Sequence, residues 1–272
     1  MKRLTLPRLD GELSLIELGA GPPVLALPGI TCPASTWLDL GRRIAARGRR
    51  VLLLDQRGRG LTTVTEGGFG LDELAGDVLA VLRDLDLRDV VLLGHSMGAL
   101  VAARVAARIT DATDATATAD ATARPHPNPN PPGTVRPILV DPPICPGGRP
   151  YPTPLSRYLD LIRDARSGRL TLSEARSLHP TWENAEPWFE ALPTCREEAV
   201  AAAHRDFHDG VFLSRWPALS ATLLYGAHSD VVTPRDVALL RRANPRADIR
   251  PVENCGHMVP FERPDLLTKE FC

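Results

Sequence analysis

The chain has few features that would place it outside the small-molecule enzymes. Its five cysteines, Cys32, Cys145, Cys195, Cys255 and Cys272, are odd in number and scattered, and no two stand at a Cys-x-x-Cys spacing. Neither a disulfide framework nor a zinc site follows from such a pattern, so the thiols read as reduced. No apolar run approaches the roughly 18 residues a membrane span requires. The start, Met1-Lys2-Arg3-Leu4-Thr5-Leu6-Pro7, is broken by Pro7 before a signal-peptide core could form, so a cytoplasmic location is expected. Charge of one sign is missing as well. With 32 Lys and Arg against 33 Asp and Glu, the net charge of -1 gives no global field for nucleic acid or an anionic membrane. The expected partner is a small molecule.

Short apolar runs separated by amphipathic segments read as buried parallel strands: 23–27, 51–54, 90–93, 138–140, 222–225 and 247–252. Leu71, Leu74, Val78, Leu82 and Leu85 put one apolar stripe on a helix. An Ala- and Val-rich helix is expected over 99–108. The alternation predicts an α/β fold with a mainly parallel, doubly wound sheet. Two stretches interrupt it. Residues 110–133, with Thr-Asp-Ala-Thr repeats and a Pro- and Asn-rich run, hold few large apolar groups and read as a mobile low-complexity loop. Residues 143–216 are too long for a simple crossover and hold most of the aromatic side chains, among them Tyr151, Tyr158, Trp182, Trp188, Phe189, Phe207 and Trp216. They are expected to form a helical lid over a core made of 1–142 and 217–272. Any single ring there is read first as packing that holds the lid together.

Gly94-His95-Ser96-Met97-Gly98 follows one apolar strand and precedes a helix. Gly-x-Ser-x-Gly alone is a weak signal, but in that setting a sharp turn exposes the serine hydroxyl at a helix N-terminus, where NH groups favour developing negative charge. Ser96 is the expected nucleophile. A serine needs a base, and His257, in Gly256-His257-Met258 after the last strand, has the right position. His228 is the one rival at a comparable strand end.

The imidazole in turn needs a carboxylate. Asp230, just after the penultimate strand, completes the chain order Ser, Asp, His and is the favoured acid. Asp141, ending the strand before it, is the alternative. The oxyanion of a tetrahedral intermediate needs two NH donors. Met97 supplies one, and Ile30, in Leu27-Pro28-Gly29-Ile30-Thr31, is expected to supply the other. The run Asp55-Gln56-Arg57-Gly58-Arg59-Gly60 reads first as structural, with Arg57 tying neighbouring loops together, and second as a source of Arg57 or Arg59 to bind an acidic substrate.

Together these motifs resemble the α/β-hydrolase superfamily and, within it, the N-formylmaleamate deformylase family. Besides the segments quoted, the likeness is carried by Pro33-Ala34, Thr36-Trp37, Asp141-Pro142-Pro143, Pro180-Thr181-Trp182, Asp206-Phe207-His208 and Gly256-His257-Met258-Val259-Pro260. The resemblance implies hydrolysis of a C–N bond in a small acidic amide, without metal or organic cofactor, with its acid at the position of Asp141. Asp230 departs from that family's pattern. The leading expectation is a serine hydrolase that cleaves an amide or ester through an acyl-enzyme, with a formyl or short acyl amide favoured. Behind it stand a tailoring hydrolase or cyclase acting on an ester, epoxide or peptide, and a non-catalytic ligand receptor.

Overall fold

The computed structural model describes residues 1–118 and 133–271. Eight strands form one sheet: β1 (Lys2–Arg8), β2 (Gly11–Leu18), β3 (Pro23–Leu27), β4 (Arg50–Asp55), β5 (Val90–His95), β6 (Val135–Val140), β7 (Thr222–Gly226) and β8 (Asp248–Val252). Their order is β1-β2-β4-β3-β5-β6-β7-β8. From β4 to β8 every pairing is parallel, while β1 and β2 form an antiparallel hairpin added to the β4 edge.

The expected parallel strands are all present. The hairpin extends the sheet beyond them. In β1 the exposed and half-buried positions alternate, so its apolar signal is thin, and Pro7 is tolerated because β1 is an edge strand. The central strands are apolar on both faces because helices cover both. Val51 to Leu54 and Val90 to Leu93 are all buried.

Helices α1 (Leu38–Ala45), α2 (Leu71–Asp84) and α3 (Met97–Thr118) follow β3, β4 and β5. α3 packs against β5 and β6, with α2 beside it. Its buried Ala99, Ala102, Ala103 and Ala106 let the helix come close to the sheet. The expected loop over 110–133 is corrected at its start, because α3 continues to Thr118. Alanine favours the helical backbone there, and the Thr110 and Thr113 hydroxyls donate to the carbonyls of Ala106 and Ile109 instead of ending the helix. The part of that loop from 119 to 132 lies outside the described residues.

Between β6 and β7 lie α4 (Leu155–Ser167), α5 (Leu172–Leu178), α6 (Glu186–Ala191), α7 (Glu197–Asp206) and α8 (Val211–Arg215). This helical segment is fastened to the rest at specific points. The Asp206 carboxylate caps α2 by accepting from the Leu71 NH at 2.9 Å. The Arg196 NH donates to the Gly58 carbonyl at 2.8 Å. Arg104 of α3 pairs with Asp209. The segment's aromatic side chains pack both on one another and on the core: Trp182 stacks on His179 at 3.8 Å and on Phe261, in the chain after β8, at 4.3 Å.

After β7 comes α9 (Pro234–Ala243), and after β8 the short helices α10 (Val259–Glu262) and α11 (Pro264–Leu267). No helix among the described residues is long and apolar enough to cross a membrane. The parallel strands β5, β6, β7 and β8 all point their C-terminal ends the same way, so the loops after them meet at one edge of the sheet.

Candidate active site

β5 ends at His95 and α3 begins at Met97, so Ser96 alone makes the turn between strand and helix. Its φ of 53° lies in the left-handed region, a conformation that costs a side-chain-bearing residue about 1–3 kcal/mol. The surroundings impose it: the Ser96 NH donates to the Val140 carbonyl at 2.8 Å, and the Ser96 carbonyl accepts from Ala99 NH at 2.9 Å. The flanking glycines are needed for space. A Cβ on Gly98 would lie 1.9 Å from the Leu27 carbonyl oxygen, and one on Gly94 2.2 Å from the Gly98 oxygen.

His257 arrives from the loop after β8, with Nε2 3.1 Å from Ser96 Oγ. Its Nδ1 is 2.6 Å from Oδ2 of Asp141. A carboxylate only accepts, so Nδ1 carries the proton and Nε2 presents its lone pair to the serine hydroxyl. Asp141, the residue after β6, has a φ of 47° and is wholly buried. Its Oδ1 accepts from the Gly226 NH at 2.9 Å, and its Oδ2 also accepts from the Ser229 hydroxyl at 2.6 Å. Ser229 is oriented for this by accepting the NH groups of Val231 and Val232. Burial pushes the Asp141 carboxyl up from the usual aspartate range, and the hydrogen bonds from His257, Ser229 and Gly226 work against that rise.

The expected carboxylate partner of His257 is therefore corrected. Asp230 is solvent-exposed and makes no hydrogen bond to His257, while Asp141 does. The physical reason lies in the loop after β7: Ser229, one residue earlier, turns inward to the Asp141 carboxylate and leaves the next side chain facing water. His228, the rival base, is exposed and takes no part in the contacts at Ser96.

The Gly29–Ile30 turn lies against the serine, since a Cβ on Gly29 would be 3.5 Å from Ser96 Cβ. Ile30 and Met97 are both buried. As the first residue of α3, Met97 has an NH with no acceptor inside the helix. The turn is braced from behind by Asp55, whose Oδ1 accepts from the Ala34 NH at 2.7 Å. Arg57 is a loop tie, forming a two-pronged ion pair with Asp77 at 2.7 Å and donating to the carbonyls of Glu66 and Gly68.

Two contributors had no distinguishing mark in the sequence. Tyr151 directs its hydroxyl to within 3.5 Å of His257 Nε2, on the side of the ring that faces Ser96. It was one aromatic among many in the segment after β6. Packed on Phe207 at 5.0 Å and on His204 at 5.8 Å, Tyr151 gives the site an apolar wall. Burial raises its phenol well above the usual range, so it remains a neutral hydroxyl. His95, beside Ser96, is buried and donates from Nε2 to the His257 carbonyl at 2.9 Å, tying the His257 backbone to β5. Burial and the adjacent His257 hold its pKa well below that of an ordinary histidine. No group of three or more metal-ligating side chains occurs among the described residues.

Comparison with known proteins points one way. Residues 24–270 match the model of the Alpha/beta hydrolase family. The chain is 35% identical to the N-formylmaleamate deformylase of Pseudomonas putida KT2440 over 250 residues, 90% of this chain and 85% of that protein. It is 32% identical to the 2-(acetamidomethylene)succinate hydrolase of Mesorhizobium japonicum over 110 residues, 40% of this chain and 38% of that protein. Among solved structures, an N-formylmaleamic acid deformylase from Pseudomonas putida S16 superposes with a TM-score of 0.81 at 32% identity, covering 98% of this chain and all of that one.

Proposed function

The chain belongs to the alpha/beta hydrolase family, and from that membership we propose that it hydrolyses the acyl–nitrogen bond of a small amide through an acyl-enzyme on Ser96. The observation that carries the reading is the unbroken relay from Asp141 to His257 to Ser96, with contacts of 2.6 and 3.1 Å. His257 takes the hydroxyl proton as Ser96 attacks the carbonyl carbon, and the NH groups of Ile30 and Met97 hold the oxyanion. His257 then gives the proton to the departing nitrogen, breaking the C–N bond. Water, deprotonated by the same imidazole, attacks the acyl-serine; the bond to Ser96 Oγ breaks, Oγ takes the proton back from His257, and a carboxylic acid is released. Asp141 keeps the imidazole in the productive tautomer and stabilises its cation.

The amide preference rests on the two relatives whose names specify amide substrates, one a formyl amide and one an acetamide derivative. Residues 143–216 serve as the lid, with Tyr151 as the side chain it brings nearest to His257. Reaction with a fluorophosphonate, followed by mass spectrometry, tests the nucleophile. An adduct on Ser96 of the folded protein is expected, as is turnover of small formyl or acyl amides that Ser96→Ala abolishes. A folded protein that takes up no label at Ser96 sinks the proposal.

A further inference from the structure

Arg59 is one of the largest fully buried side chains, with 1% of its surface exposed. Its four hydrogen bonds all go to neutral acceptors. Nε donates to the Ile30 carbonyl at 2.6 Å and Nη1 to the Arg57 carbonyl at 2.8 Å. Nη2 reaches the Met97 sulfur at 3.2 Å and the Ala199 carbonyl of α7 at 3.4 Å. No carboxylate pairs with it among the described residues, in contrast to Arg57 two positions earlier. A buried guanidinium without a counter-ion is costly, and structures seldom keep one without a use for its charge.

The placement supplies that use. Ile30 and Met97 are the two residues assigned above to the oxyanion, and Arg59 is the side chain that grips both, one through its carbonyl and the other through its thioether. We infer that Arg59 is the positioning residue of the oxyanion hole: it locks Ile30 and Met97 in register with Ser96, and its unpaired charge finds its counter-ion in the anionic tetrahedral intermediate. This rests on the acyl-enzyme reading of Ser96. Burial lowers the guanidinium to about 10, so it stays charged at neutral pH. Among the described residues nothing compensates that charge in the resting protein, and it is offset when negative charge develops at the substrate oxygen, which is the differential stabilisation that raises kcat. The bond to Ala199 adds α7 of the segment after β6 to the same fixed point.

The test uses the whole chain, with p-nitrophenyl acetate as an ester probe and phenylboronic acid as an inhibitor that becomes a tetrahedral anion on a serine. Arg59→Met is expected to lower kcat by about 10- to 100-fold. KM should stay within about twofold of the parent, because the interaction is made in the transition state. Phenylboronic acid should bind more weakly by a factor similar to the loss in kcat. Arg59→Lys keeps the charge but cannot span both Ile30 and Met97, so its kcat should fall between those of the parent and Arg59→Met. A folded Arg59→Met with parental kcat, or one in which only KM changes, overturns the inference. Where Arg59→Met does not fold, Arg59→Lys decides: lower kcat with weaker boronate binding supports the role, and parental values overturn it. A parent protein that fails to label with fluorophosphonate removes the acyl-enzyme reading itself, whereas a parent that labels while its Arg59 variants behave identically removes only the role of Arg59.

Discussion

Asp141 and His257, 116 residues apart, meet through a 2.6 Å contact between Oδ2 and Nδ1, and the carboxylate that makes it is wholly buried. The pairing sets the proton positions on the imidazole that faces Ser96, and the first two expectations below follow from it.

Replacing the acid should separate the two aspartates. Asp141→Asn leaves the geometry nearly intact but favours the wrong imidazole tautomer, and kcat should drop by about 10⁴-fold. Asp230→Asn, at an exposed position without a bond to His257, should remain within about twofold of the parent. Steady-state kinetics on any turned-over formyl amide or ester decides, and the opposite ranking would falsify the assignment.

Ser229 donates to the same Asp141 oxygen that receives His257 Nδ1. Ser229→Ala removes one donor to a buried carboxylate, a bond worth about 1.5–3 kcal/mol. The expected result is a protein less stable by roughly that amount, with reduced turnover because the carboxylate is held less firmly. Urea unfolding and kcat on the same preparation measure both. An unchanged midpoint with unchanged kcat would show Ser229 to be dispensable.

The buried pair of Arg57 and Asp77, with side chains 7% and 6% exposed, ties the loop after β4 to α2. Asp77→Ala strands a buried guanidinium and should cost about 3–5 kcal/mol of stability. Denaturant titration should show this loss. A cost below 1 kcal/mol would mean that water or the nearby carbonyls of Glu66 and Gly68 replace the carboxylate.

Acid should destabilise the protein through two neutral histidines, the buried His95 and the half-buried His179. His95 is pushed well below the ordinary histidine value of 6.5, and His179, stacked on Trp182, is lowered to about 4, in both cases chiefly by burial. Below pH 6.5 the unfolded chain takes up protons on these rings that the folded chain does not. More protons bound to the unfolded state means that stability falls as pH falls. Asp141, raised by burial, acts in the opposite sense above the ordinary aspartate range of 3.8 and offsets part of the loss. Thermal midpoints measured from pH 7 down to 4.5 should decline, and the slope should flatten in His179→Gln. A slope unaltered by that substitution would remove His179 from the account.

Local pattern made much of this protein legible. The parallel strands showed as short apolar runs because both sheet faces are covered, and Ser96 showed because a strand, a two-glycine turn and a helix are contiguous in the chain. The β1–β2 hairpin was missed because β1 at the sheet edge buries little and its apolar signal is weak. The extension of α3 past Arg108 was missed because its Thr and Asp residues also suit turns, and their helical state depends on neighbours such as Arg215, which pairs with Asp111.

The sequence by itself determined the fold class, through its alternation of apolar strands and amphipathic helices, and placed Ser96 and His257 at neighbouring strand ends, since each sits in a contiguous motif whose backbone geometry follows from its own residues. Only the tertiary structure decided which carboxylate meets His257, because Asp141 and Asp230 both follow strands at the same sheet edge and are equivalent as local patterns. What separates them is the inward turn of Ser229 and the Gly226 NH, which enclose one carboxylate and leave the other in water. The same holds for Arg59. Its flanking residues marked it only as a candidate for binding an acidic substrate, and its placement comes from the burial of its charge between two residues that are far from it in the chain and from each other.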